Sequence, residues 1–235
     1  MERGVGGGSM LDALCIGAHP DDVEIGMGGT VAGMVRRGRR VAILDLTDGE
    51  PTPFGTVEIR AAEASASAQA LGVERITLDL RNRYLFDSAE AREKVAGVIR
   101  RLRPRLLFVP FPQDSHPDHI AANSIAEAAR FYAKFTKTEL PGEPHYPARI
   151  YRYMAVHARL LAEPSFVVDI SADVETKLAA LRCYDSQFVK NPANEGVLRQ
   201  VAEMAAMWGH AARVTAGEPF FAPEPVAVVE VESLL

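Results

Sequence analysis

Short apolar runs alternate along this chain with longer stretches whose apolar positions recur at helical spacing. Leu11–Ala18, Val41–Leu46, Ile76–Leu80 and Arg105–Val109 read as strands. Between them, Val23–Arg37 and Ala89–Leu102 read as helices, as does a segment from an N-cap at Thr56 to Leu71, with Gly38 and Gly72 closing the first and last of these. The pattern continues with a helix over Ile120–Phe135, strands over Ile150–Val156 and Phe166–Ile170, helices over Asp173–Phe188 and Asn194–Val214, and a last strand over Val226–Val231. Strands and helices in strict alternation predict an α/β fold, a mostly parallel sheet with helices on both faces.

The first strand ends in His19-Pro20-Asp21-Asp22, and the fourth in a loop that reaches His116-Pro117-Asp118-His119. In an open parallel sheet the carboxyl ends of the strands face one shared crevice. Two imidazoles and one carboxylate meeting there make a three-ligand divalent metal site with positions left for water and substrate. The remaining acids and histidine then serve acid/base chemistry. Asp21 and Asp22 are adjacent, so their side chains diverge and one alone faces the ion squarely. Asp118 is left to a supporting hydrogen bond with a neighbouring histidine.

Composition removes several alternatives. The 235 residues are 48% hydrophobic with a net charge of −5, so neither nucleic acid nor an anionic membrane surface is an expected partner. Two cysteines are too few for a disulfide framework. Residues 1–9 read as a flexible tail before a single domain over 10–235. No run of 18 apolar residues occurs, and a cytoplasmic location is expected.

The run Ala18-His-Pro-Asp-Asp-Val-Glu24-Ile-Gly26-Met-Gly28-Gly-Thr30, together with His116-Pro-Asp-His119, resembles the PIG-L/LmbE-type metal-dependent N-acetylglucosaminyl deacetylases. The resemblance extends through Asp45–Glu50, Gly55–Arg60 and Tyr184-Asp-Ser-Gln-Phe188, and within the family it points toward the bacillithiol-pathway enzymes that deacetylate N-acetylglucosaminyl-malate. It implies a Rossmann-like layered fold, a zinc or ferrous ion on His19, Asp22 and His119, Asp21 as general base, and His116 as oxyanion stabiliser or amine acid oriented by Asp118. It also implies a small N-acetylated amino sugar as substrate and a trimeric or hexameric homo-oligomer. Deacetylation of another conjugate, such as chitobiose or a thiol conjugate, and a non-catalytic sugar-binding role are the alternatives.

Arg60, Arg83 and Glu50 fall on the ligand side of the expected sheet and are candidates for substrate contacts. Gly26, Gly28 and Gly29 lack the spacing of a dinucleotide loop. Relatives often carry a tyrosine after the Ser-Gln-Phe run. Val189–Val197 contains none, which leaves His116 alone, or Tyr184 or Tyr84 in its support. His145, His157 and His210 read as isolated, and Trp208, Met204 and Met207 as helix core.

Overall fold

Every residue of Ala13–Gly17 and of Val41–Asp45 is buried. Strands buried along their whole length must be covered on both sides, which puts these two in the interior of a layered sheet. The structure, a computed structural model, describes residues 10–155, 157 and 162–227. Its elements are β1 (Ala13–Gly17), α1 (Asp22–Arg36), β2 (Val41–Asp45), α2 (Val57–Leu71), β3 (Glu74–Thr77), α3 (Ala89–Leu102), β4 (Leu106–Pro110), α4 (Pro117–Tyr132), β5 (Arg149–Tyr153), β6 (Phe166–Asp169), α5 (Val174–Arg182), α6 (Asp185–Phe188), α7 (Val197–Ala212) and β7 (Gly217–Phe221). Among the described residues no helix is long and apolar enough to cross a membrane.

The seven strands lie in the order β3-β2-β1-β4-β5-β7-β6. The first five in that order run parallel, and β7 is antiparallel to both of its neighbours. Alternate residues of β1 serve opposite cores. Leu14 and Ile16 pack with Leu44, Leu107, Ile99 and Ile125, on the side of α3 and α4. Ala13 and Cys15 pack with Ile43, Val23, Met27 and Phe220, on the side of α1. Chain order reverses between β1 and β4, and the loops carrying both His-Pro-Asp motifs leave the sheet at that switch point.

Helix α1 is broken at Met27, where φ is −151°. The break turns the backbone N–H groups of Gly29 and Thr30 onto the Glu218 carboxylate of β7, at 3.0 and 2.7 Å. Thr30 Oγ1 and Lys177 Nζ donate to the same carboxylate, each at 2.6 Å. The glycines of this run therefore serve helix packing and a buried polar junction.

Two sequence expectations differ from the structure. The helix expected over Asp173–Phe188 is two helices, parted at Cys183 and Tyr184. Strand β7 was not foreseen, because Gly217-Glu218-Pro219 breaks any alternation and carries a residue unfit for a central ladder. The strand expected over Val226–Val231 lies, beyond residue 227, outside the described residues, as does the tail 1–9.

Candidate active site

The turn His19–Asp22 closes with the Asp22 N–H donating to the His19 carbonyl at 3.3 Å, and α1 starts immediately after it. Asp21 has φ of 105°, in the left-handed region that a side chain rarely occupies without cause. That backbone parts the two adjacent acids. Asp22 Oδ2 accepts the His19 backbone N–H at 2.9 Å, while Asp21 Oδ2 accepts from Arg60 Nη2 at 2.9 Å. On the other side of the switch point, Pro117 opens α4, where its missing N–H costs nothing, and His116 is the N-cap. His116 Nδ1 accepts the Asp118 N–H at 3.2 Å, which leaves Nε2 as the histidine's outward nitrogen.

One ligand atom from each of His19, Asp22 and His119 falls within 4.8 Å of the others. His19 Nδ1 is 3.5 Å from Asp22 Oδ2. His119 Nε2 faces Asp22 Oδ1 at 3.2 Å in a geometry that makes no hydrogen bond, an orphaned nitrogen on a side chain only 1% exposed. A buried nitrogen without a partner, beside a carboxylate and a second imidazole, fits a divalent ion. A second grouping of His19, His116 and Asp118 has similar spacing. There the Asp118 carboxylate already accepts the backbone N–H groups of Arg83 and Leu85, at 2.6 and 3.3 Å.

The field at the cluster favours positive charge. Burial works to lower His19, but hydrogen bonds with Asp118 and Asp22 outweigh it and raise the imidazole to about 9. For His119 burial is likewise outweighed, by Asp22 and Asp114, and the ring rises to about 10. Asp22 lies well below the usual carboxylate range, because the two imidazoles overcome its burial. The acids that draw protons onto these two rings would equally draw a divalent ion, which displaces the proton from each ligand nitrogen.

Asp21 and His116 behave differently. Burial pushes the Asp21 carboxyl up to about 7, against the opposing pull of Arg60. Burial and the neighbouring His19 and His119 push His116 down to about 4. With Nδ1 accepting the Asp118 N–H, the neutral ring of His116 presents Nε2–H as a donor, which favours the oxyanion role over the amine-acid role that the sequence reading had left open beside it. Asp118 also changes partner. Its carboxylate lies 3.3 Å from His19 Nε2, so the histidine it supports is His19 and not His116.

His19, Asp21, Asp22, His116 and His119 line a cavity of about 1010 Å³ that continues past Ile25 and Met154 to Val201, Met204 and Trp208 of α7. Arg60 and Arg83 line it as well. The Arg60 side chain is buried, and its Nε and Nη1 have no partner. Arg83 donates from Nη2 to the Pro51 carbonyl at 2.6 Å, and its φ of 67° aims its N–H at Asp118. Glu50 does not reach the cavity. Both its oxygens accept from Thr52, at 2.6 and 2.7 Å, and hold the loop after β2.

Tyr184 is fully buried and donates to Glu24 Oε1 at 2.8 Å, so it cannot assist His116. Tyr84 lies outside this cavity, exposed beneath Arg81. Met204 and Met207, read as core, are 46% and 41% exposed along the cavity. His157 was read as isolated, yet its ring centroid lies 5.6 Å from His116 and 5.8 Å from His119. Asp114 was missed altogether. Its Oδ2 pairs with His119 Nδ1 at 2.9 Å, and the one available signal was an acid five residues before His119.

Residues 14–130 match the model of the PIG-L family, described as GlcNAc-PI de-N-acetylase. The diacetylchitobiose deacetylase of Thermococcus kodakarensis is 36% identical over 191 residues, 74% of this chain and 69% of that protein. A 1D-myo-inositol 2-acetamido-2-deoxy-alpha-D-glucopyranoside deacetylase of Catenulispora acidiphila is 27% identical, over 89% of this chain and 82% of its own length. The crystal structure of a conserved protein from Thermus thermophilus superposes with a TM-score of 0.87 at 39% identity, covering 94% of this chain and 99% of that one. The named relatives are thus a chitobiose and an inositol-glycoside deacetylase, not the malate-specific subgroup that the sequence resemblance suggested.

Proposed function

This chain belongs to the PIG-L/LmbE family and is a metal-dependent N-deacetylase of a substrate containing N-acetylglucosamine (GlcNAc), and we propose that it acts on a neutral GlcNAc glycoside of the diacetylchitobiose type. The observation that carries this reading is the cavity's far arm. Val201, Met204 and Trp208 offer apolar surfaces to the faces of a second sugar ring. A malate would ask instead for cations there. Lys177 is committed to Glu218 at 2.6 Å. The unpartnered donors of Arg60 sit beside Asp21, at the reacting end. GlcNAc-malate is the second reading, favoured by Arg83, whose exposed side chain lines the rim.

His19, Asp22 and His119 would hold the ion, zinc or ferrous iron, since two imidazoles and a carboxylate suit both. When bound, such an ion polarises the acetamide carbonyl and acidifies water. Asp21, raised toward neutrality, takes the proton of the attacking water and returns it to the leaving amine. Arg60 fixes the direction of that carboxylate. His116 donates through Nε2–H to the oxygen that becomes negative in the tetrahedral intermediate.

Steady-state kinetics on diacetylchitobiose, GlcNAc-malate and free GlcNAc, on one preparation of known metal content, test the substrate. The expected result is the highest kcat/KM for diacetylchitobiose. A preference of tenfold or more for the malate glycoside would install the second reading and leave the deacetylase chemistry standing.

A further inference from the structure

Asp114 touches two different donors. Its Oδ1 accepts the backbone N–H of His116 at 2.8 Å, and its Oδ2 lies 2.9 Å from Nδ1 of the His119 imidazole. The Asp114 side chain is 1% exposed, so both bonds are made out of water. A carboxylate acts as an acceptor at both oxygens. In the neutral ring that binds a metal ion, Nδ1 of His119 must therefore carry the proton, and Nε2, the orphaned atom facing Asp22, presents its lone pair.

We propose that Asp114 is a positioning residue that sets the tautomer of His119 and thereby readies Nε2 to bind the metal ion. The proposal rests on the metal site described above and adds a residue to it. Metal-binding histidines are commonly backed by an acceptor on the other ring nitrogen, which fixes both ring orientation and tautomer. Here two such acids lie on one short stretch of chain. Asp118 stands 3.3 Å from His19 Nε2, while Asp114 serves His119. The same turn that brings His119 to the ion thus carries the group that prepares it.

A role in holding the loop and a role in setting the tautomer give opposite results for Asp114→Asn. Asparagine is nearly isosteric but offers one acceptor oxygen and one NH2. The His116 backbone N–H has only a donor to give and takes the oxygen. The NH2 is left facing His119 Nδ1, which must then accept, driving the ring proton onto Nε2 and blocking the ligand atom. Asp114→Ala removes both bonds and leaves the tautomer unbiased.

The experiment is a Zn²⁺ titration in competition with a chromophoric chelator, on wild type, Asp114→Asn and Asp114→Ala, with far-UV circular dichroism and melting temperature on the same samples. The expected result is a loss of metal affinity in Asp114→Asn of about 10- to 100-fold, at least as large as in Asp114→Ala. Asn binding within threefold of wild type, or clearly tighter than Ala, would overturn the proposal and reduce Asp114 to a loop contact. A wild type that binds no ion would overturn the metal site itself, whereas tight binding by wild type and Asn alike would overturn this inference alone.

Discussion

Arg60 holds Asp21: its Nη2 lies 2.9 Å from the Asp21 carboxylate and 2.5 Å from the Pro20 carbonyl, bridging α2 to the turn before α1. Arg60→Gln should retain the ion while kcat falls by about 10- to 100-fold, the usual scale of a small misplacement at a reacting group. The sign of its pH effect follows from the charge removed. Arg60 opposes the upward shift of Asp21, so its loss raises that carboxyl further, and the acid limb of the rate profile should move to higher pH. An unmoved limb with unchanged kcat would separate Arg60 from the base.

Asp21→Asn removes the base and none of the ligand atoms of His19, Asp22 or His119. Metal content should stay stoichiometric while turnover drops by about 10²–10⁴. Loss of metal with recovery of rate on resupply would exchange the roles of Asp21 and Asp22.

Beneath the site, Arg75 bridges two buried acids. It contacts Asp45 at 2.6 and 2.8 Å and Glu24 at 2.6 Å, with its side chain 6% exposed. Arg75→Met should destabilise the fold by about 3–5 kcal/mol in urea denaturation, since it strands two carboxylates away from water. A loss below about 1 kcal/mol would mean that water or another cation replaces it.

Gly26 is required by close approach. A Cβ there would stand 2.2 Å from Tyr153 Cδ2 and 2.6 Å from the Met154 carbonyl oxygen. At Gly28 the nearest atom is Lys177 Cγ at 3.1 Å, on a flexible side chain. Gly26→Ala should therefore lower the melting temperature more than Gly28→Ala, and should also weaken metal binding by displacing the turn that carries Asp22. Equal melting temperatures would contradict the packing described for α1.

The sheet and the two motifs were legible because each depends on short-range signals: buried runs, a cap at Thr56, and His-Pro-Asp in the connections that follow β1 and β4. What escaped depends on contacts made across the fold. Glu218 joins Thr30 over 188 positions, and Tyr184 joins Glu24 over 160, so neither could be read from spacing. His157 reaches the cluster only because β5 packs beside β4. Glu50 sat on the correct side of the sheet, but its own loop claims its oxygens. The helix break at Cys183 was hidden by an apolar pattern that continues through it.

The most direct test of metal-dependent deacetylation at His19, Asp22 and His119 is acetate release from diacetylchitobiose, measured with metal content on the same sample before and after chelation. Chelated protein should be inactive and one equivalent of Zn²⁺ or Fe²⁺ per chain should restore it, whereas His119→Ala should neither retain the ion nor recover. Undiminished acetate release from metal-free protein, or stoichiometric metal and full activity in His119→Ala, would contradict it.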